Sequence, residues 1–493
     1  MSALLVLLVA LPLAGSGALL LLPPRLRDRV ARPLGVGITG ILVPVSVLAT
    51  KAPDFNVMWV RALDLRFHLG VDGISGPLLV LTAALTFLCA AHLLRVLPEP
   101  GRPGALVGLL LLLETGMLGT FLALDLLLFF VFFETVLVPM YFLIAVWGGH
   151  GRVAAAQKFI FYTLLGSAVL LLGLLLIRAR TGTFDMVELA AARGAGMSRS
   201  AQIVAVLAVG LGLAVKAPMW PLHTWLPDAH TAAPTVGSVL LAGVLLKMGT
   251  YGLARVALPI LPRGAEALAP YLAALGVIGI LYGALACLAQ RDLKRMIAYS
   301  SVGHMGFVLL GLATLTEAGV NGALFANVAH GLITGLLFFL AGAVKDRHGT
   351  TDLDELGGGL YERAPRLGGL LAFAAVASLG LPGLAGFWGE MLAMLGAFHP
   401  ASTLDQEVYR VFLALAGAGA VLTAAYLLRL VRRVDQGAVL DRWRDAVLPR
   451  DATTHELLVW SPLVAATLVL GLWPKLLLDV TVPAVGALFG GAG

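Results

Sequence analysis

Apolar residues in this chain gather into long runs separated by short polar stretches that hold most of the charge. Runs of about 17 to 25 apolar residues can cross the roughly 30 Å hydrocarbon core of a bilayer as helices. Only a helix satisfies its own backbone there. Fourteen such runs are read, at 3–22, 34–50, 73–94, 105–122, 126–147, 157–177, 203–218, 233–258, 268–289, 294–315, 319–343, 366–399 with a break inside it, 407–431 and 457–477. No polar stretch between them is long enough for a core of its own. The expected fold is therefore an all-α polytopic membrane protein of about 14 transmembrane helices, with 1–493 a single membrane domain.

Two segments interrupt apolar runs in a similar way: Lys216-Ala-Pro-Met-Trp-Pro221, and Leu379-Gly-Leu-Pro-Gly-Leu-Ala-Gly386 followed by Glu390. Proline removes a backbone donor and glycine loosens the ladder, so both should be discontinuous helices whose freed backbone groups face protein or water. Each break is the fourth element of a five-helix block, one over 105–258 and one over 268–431. Paired breaks of this kind predict two inverted five-helix repeats with an ion path at their interface. Three N-terminal helices over 1–94 precede the blocks, and a final helix over 457–477 follows them.

Composition agrees with this pattern. Hydrophobic residues make up 59% and charged ones 13%, outside the range of a soluble domain of this length. The first run has no basic stretch before it and is followed by Pro23, Pro24 and an Arg cluster, so it is read as a retained helix rather than a signal peptide. When loops are assigned alternately to two sides, one side carries about twice the Lys and Arg of the other, with Lys158, Lys294 and Lys345 among them. By the positive-inside rule that side is cytoplasmic and both termini face outward. The formal charge of +6 thus calls for a lipid bilayer and needs no nucleic acid. Cys89 and Cys287 lie far apart in apolar runs and supply neither an iron–sulfur cluster nor a closed zinc site. If the chain serves a redox enzyme, the electrons travel elsewhere.

The candidate chemistry lies in charges placed inside apolar runs. Lys216 and Lys247 are so placed, while nearly every Arg is in a loop. Arg stays protonated in essentially any protein environment, whereas a buried amine can release its proton. Glu134 stands eight residues into its run, about 12 Å deep, and Lys247 is near the midplane. An isolated charge there costs at least about 2.5 to 3.5 kcal/mol on insertion scales, so pairing or hydration is required. A static ion pair that fixes packing is the bland alternative to a moving proton. Glu390, just beyond the second break, is a switchable carboxylate or a packing one. His304 and His330 fall inside spans, where imidazole can pass a proton between its nitrogens or simply hydrogen-bond a neighbour. His223 and His230 flank Pro227 at a spacing that fits no zinc template, and a loop-anchoring role suits them better.

The segments Asp125-Leu-Leu-Leu-Phe-Phe-Val-Phe-Phe-Glu134, Val138-Pro-Met-Tyr-Phe-Leu-Ile, Lys216-Ala-Pro-Met-Trp-Pro-Leu-His-Thr-Trp-Leu-Pro-Asp-Ala-His230 and Asp292-Leu-Lys-Arg-Met-Ile-Ala-Tyr-Ser-Ser-Val-Gly-His304 resemble the antiporter-like subunits of respiratory complex I. Large subunits of cation/proton antiporter complexes and of membrane hydrogenases are relatives. The likeness covers about residues 65 to 430. Glu390 falls where the chain M type carries glutamate and the chain L and chain N types carry lysine; the absence of a long lateral helix after the last run points the same way. The resemblance implies a proton-translocating, non-redox subunit of NADH:quinone oxidoreductase in a bacterial inner membrane. It implies partner subunits of the chain L and chain N types on either side, with NADH, FMN, iron–sulfur clusters and quinone handled on partner subunits and no cofactor or metal on this chain. Glu134 and Lys216 would form a charge pair; Lys247, His304 and His330 would carry protons laterally; Glu390 would end the second half-channel.

Overall fold

The computed structural model describes residues 1–444 and 450–490; residues 445–449 and 491–493 of the expected single domain lie outside the described residues. Among the described residues, twelve helices are long and apolar enough to cross a membrane, from Ala3–Leu21 to Thr454–Leu472. Three shorter apolar helices accompany them: Gly76–His92, Pro365–Ser378 and Ala385–Phe398. The two most enclosed spans are Thr235–Ile260 and Glu317–His348, whose most apolar windows are buried entirely by protein. A helix that protein surrounds can carry polar groups at membrane depth, and these two carry Lys247 and His330.

Both expected breaks are present. Arg199–Lys216 stops at Lys216, and helix resumes only at Trp225–Ala232. Pro218 and Pro221 cannot donate, and the freed carbonyls find protein partners: Met219 N donates to Ala214 O at 2.9 Å, and Trp225 Nε1 donates to Val215 O at 3.0 Å. The second break lies between Ser378 and Ala385. It turns on Gly380 at φ +79° and Gly383 at φ +94°, a left-handed backbone that suits glycine.

The two blocks share further detail. Asp125 caps the Leu126–Thr135 helix and bridges to Asp185, which caps the short Met186–Ala192 helix. Asp292 likewise caps Leu293–Ala313 and bridges to Asp352, which caps Leu353–Leu356. Around the second member of each pair the sequence reads Gly182-Thr-Phe-Asp-Met-Val-Glu-Leu189 and Gly349-Thr-Thr-Asp-Leu-Asp-Glu-Leu356. Each glycine is left-handed and ends the preceding long helix.

Three features depart from the hydropathy pattern. The fold is mainly helical but not all-α, because Phe55–Val60 and Leu65–Leu69 form an antiparallel hairpin. Its strands are rich in Val, Phe and Trp, residues that suit a pleated surface, and its turn closes through left-handed Asp64. The run read as a final helix over 457–477 is divided at Trp473-Pro474, and a further helix, Lys475–Leu488, follows Thr454–Leu472. The span Thr235–Ile260 carries two π-helical turns, Leu241–Leu245 and Leu253–Ala257, on either side of the Leu246–Gly252 turn that holds Lys247. A π turn leaves i→i−4 carbonyls open and is a mark of functional sites.

Just past the Gln406–Val434 helix, Asp435 is buried with neither carboxylate oxygen hydrogen-bonded among the described residues, and burial pushes its carboxyl up to about 7. The folded carboxyl then keeps its proton between its ordinary value near 3.8 and about 7, while the unfolded one loses it. The unfolded state binds fewer protons in that window, so this group's contribution to stability falls as pH rises. Asp435→Asn is expected to raise the thermal midpoint at about pH 8 and leave it unchanged at about pH 4; an equal effect at both would contradict this burial argument.

Candidate functional site

The site is a row of buried polar side chains on helices held in place by the apolar packing around them. It begins where the first break presents Lys216, the last residue of its helix, 2% exposed. Lys216 Nζ lies 5.0 Å from the centroid of the Phe133 ring and has no hydrogen-bond partner among the described residues. Glu134, the residue after Phe133, is half-buried, and its Oε1 has no such partner either. The expected charge pair is therefore open here: no ion pair or hydrogen bond joins Glu134 and Lys216 among the described residues. A cation over an aromatic face keeps part of the stabilisation that a carboxylate would supply.

Lys247 is fully buried. Its Nζ donates to Ala242 O, a carbonyl of the first π turn, and meets His330 Nδ1. One turn along the same helix, Thr250 donates to Asn327 Oδ1 at 3.0 Å, which fixes this helix against the His330 helix. The His330 and His304 rings lie 5.6 Å apart between centroids, tilted by 59°. His304 Nδ1 is 3.2 Å from Glu390 Oε1, and its Nε2 is 3.0 Å from Ser378 Oγ, the last residue before the second break. A cavity of about 20 Å³ touches His304, His330, Ser378 and Glu390, which is room for about one water.

Lys247 with His330 and His304 with Glu390 are thus two contacting pairs, adjoining at the two imidazole rings, that run from the π-flanked helix to the second broken helix. The break positions the last member. A Cβ on Gly380 would lie 2.8 Å from Glu390 Oε2, so only glycine lets the backbone approach the carboxylate this closely. A Cβ on Gly389 would meet the Ala326 backbone at 2.6 Å, which sets how near the Glu390 helix sits to the long Glu317–His348 helix.

Several polar groups of the row escape a reading by hydropathy. Lys294, counted with the loop cations, is 2% exposed and donates to Ala233 O at 3.0 Å. It lies beside a cavity of about 450 Å³ whose walls include His92, Glu99, Arg152, Lys345 and Asp346. His230 is fully buried and stacks on Phe338 at 4.4 Å and 9°. His223 is also buried, edge-on to Tyr282 at 4.9 Å. Arg255, in the second π turn, pairs with Asp72. Lys294 and Arg255 sit near the end of an apolar run, where a charge reads as loop, and His223 and His230, read from the sequence as loop anchors, are buried beside the first break.

The chain as a whole is similar to known proteins. Residues 123–416 match the family model described as NADH:quinone oxidoreductase/Mrp antiporter, transmembrane. The chain is 40% identical over 478 residues to NADH-quinone oxidoreductase subunit M of Rhodobacter capsulatus, covering 94% of this chain and 91% of that one. It superposes on a chain of respiratory complex I from Thermus thermophilus with a TM-score of 0.86 and 32% identity, covering 99% and 100% of the two chains. A chain of the Mrp complex from Dietzia sp. DQ12-45-1b shares the fold, with a TM-score of 0.84 at 24% identity and coverage of 99% and 97%.

Gly380→Ala is expected to cost about 1 to 2 kcal/mol through its left-handed backbone. It should also push the Glu390 carboxylate away from His304. A lower thermal midpoint in the purified protein checks the first effect; an unchanged midpoint would mean that the break relaxes freely.

Proposed function

The chain belongs to the NADH:quinone oxidoreductase/Mrp antiporter transmembrane family, and from that membership we propose how its buried row moves a proton. Within the family it stands with the subunit M or chain 4 type, and it is a proton-translocating membrane-arm subunit of an NADH:quinone oxidoreductase. The observation that carries the mechanism is the succession of two contacting pairs, Lys247 with His330 and His304 with Glu390, joined by neighbouring imidazole rings.

The step begins at Lys216. A carboxylate nearby favours the ammonium; moving Glu134 away removes that support and frees the Lys216 proton to leave. The receiver is Lys247, whose helix packs on the end of the Lys216 helix, where a Cβ on Gly249 would lie 2.7 Å from Ala217 N. From Lys247 the proton passes to His330 Nδ1, and His330 releases one from Nε2 toward His304 across the one-water cavity. His304 delivers to Glu390 in the same way. Each transfer displaces one proton and leaves every heavy atom nearly in place, so a Coulombic change at Glu134 reaches Glu390 without a large motion. The static reading, in which these groups only pack helices, leaves the open Lys216 site and the His304–His330 cavity without a use. A cation/proton antiporter reading shares the fold, but Glu390 and the curated relatives of about 40% identity favour the respiratory one.

The finer architecture follows the same logic. Taking the shorter Gly76–His92 helix as one crossing and the broken pair Pro365–Ser378 and Ala385–Phe398 as another supports a reading of fourteen, and the matched Asp125–Asp185 and Asp292–Asp352 bridges support two inverted five-helix repeats. The side bearing Lys158, Lys294 and Lys345 faces the cytoplasm of a bacterium, and both termini face outward. Subunits of the chain L and chain N types flank the row at its two ends. NADH, FMN, iron–sulfur clusters and quinone act on partner subunits, and this chain performs no redox step.

Lys216→Ala and Glu134→Gln are expected to lower NADH-driven proton translocation by at least about tenfold, the scale of losing a positioned proton carrier, while the complex still assembles. The check is acidification of inverted membrane vesicles with assembly followed on native gels. Normal proton yield from assembled variants would refute the mechanism, and loss of assembly in both would favour the packing role.

A further inference from the structure

The Pro103–Leu122 helix carries a carboxyl that the mechanism above does not use. Glu114 is fully buried, and neither of its carboxylate oxygens has a hydrogen-bond partner among the described residues. It lies eleven residues past Pro103, about 16 Å along the helix axis and so near mid-membrane. A carboxylate left bare at that depth is costly, which is why an intramembrane acid is a functional site by default.

Its direction follows from its neighbours. Phe121, seven residues on and therefore on the same face, packs edge-on against Tyr251 at 5.1 Å. Gly116 and Gly119 point elsewhere, toward Phe132 and Val136. On the same face but seven residues earlier, Val107 packs against Gly35 of the Pro24–Ala49 helix, so Glu114 stands between that helix and the span that carries Lys247. That span and the Glu114 helix run parallel: residues just before or at their starts, Glu99 and Thr235, line the same cavity of about 450 Å³, and further along they meet at Phe121 and Tyr251. Lys247 lies twelve residues past Thr235, about 18 Å along, so the two groups share one depth.

A route toward Glu114 also begins in that cavity. Val236 and His92 are in its wall. The Cys89 thiol donates to Val236 O at 3.9 Å and is close enough to Glu114 for the two to interact electrostatically.

We propose that Glu114 is a further proton-carrying side chain of this chain, taking protons from the cavity beside Lys294 and passing them to Lys247. The step is an acid–base exchange: the Glu114 carboxylic acid gives its proton to the neutral Lys247 amine, leaving a carboxylate beside an ammonium. Water from the cavity, drawing on the aqueous phase, returns a proton to the carboxylate. This rests on the lateral row proposed above, with Glu114 as a feed into its middle.

The test uses the intact complex in inverted membrane vesicles, with NADH oxidation and acidification measured together for wild type, Lys216→Ala, Glu114→Gln and Glu114→Asp. Glu114→Gln keeps the size and removes the exchangeable proton, and translocation is expected to fall at least about tenfold. Glu114→Asp keeps the acid and is expected to restore part of the rate, with a displaced pH profile. Wild-type translocation by assembled Glu114→Gln overturns the proposal. If Glu114→Gln does not assemble, Glu114→Asp decides: a shifted pH profile supports proton exchange, and an unshifted one overturns it. Loss in Lys216→Ala with none in Glu114→Gln removes this inference alone; normal pumping by Lys216→Ala removes the row on which it rests.

Discussion

A charge in hydrocarbon must be met by another charge, a hydrogen bond or water, and nearly every irregular feature of this fold is a way of meeting one. The chain carries lysines at Lys216, Lys247 and Lys294, each 2% exposed or less, and none forms an ion pair among the described residues. Instead the backbone opens beside two of them. The first break exposes Lys216 to the Phe133 ring, and a π turn offers the Ala242 carbonyl to Lys247. Lys294 takes the Ala233 carbonyl just before the Lys247 span begins. Partial compensation of this kind holds a cation in place without binding its proton tightly, which is what transfer requires. A full ion pair would be a better structural element and a poorer carrier.

The same constraint explains which helices are enclosed. Thr235–Ile260 and Glu317–His348 are surrounded by other helices, while Arg152–Thr181 and Gln406–Val434 show much of their surface outward. Polar residues therefore concentrate where lipid cannot reach them. Small residues let the enclosing helices come close: Gly331 approaches the Gly243 carbonyl, and Gly389 approaches Ala326. These small residues lie beside the polar ones, Gly331 next to His330 and Gly389 next to Glu390, so close packing and titratable groups share the same stretches of helix.

Much of this is legible in the residues. Apolar runs mark the spans because only helices are allowed there, and Pro218 with Pro221, and Pro382 with Gly380 and Gly383, mark the breaks because clustered prolines remove donors and glycine loosens the ladder. Lys216, Lys247, His304, His330 and Glu390 stand out as polar letters in apolar text. What hydropathy does not carry is direction. Glu114 shares a strongly apolar helix, and Lys294 looks like a loop cation until its burial is seen. The π turns leave no composition signal, since Leu241–Leu245 is an ordinary apolar stretch. The Phe55–Val60 hairpin is short and polar at its edges, so an average over a span-length window passes over it. The contact between His304 and Glu390 joins residues 86 positions apart and depends on tertiary packing alone.

The central claim is that Lys247 hands a proton to the histidines rather than merely anchoring them. Its most direct measurement is the rate of proton translocation, with NADH oxidation followed in parallel, in assembled complex carrying Lys247→Met, a substitution of similar length with no exchangeable proton. The account predicts that translocation collapses while the complex remains intact, with oxidation falling alongside because the two are coupled. Translocation at the wild-type rate would contradict it.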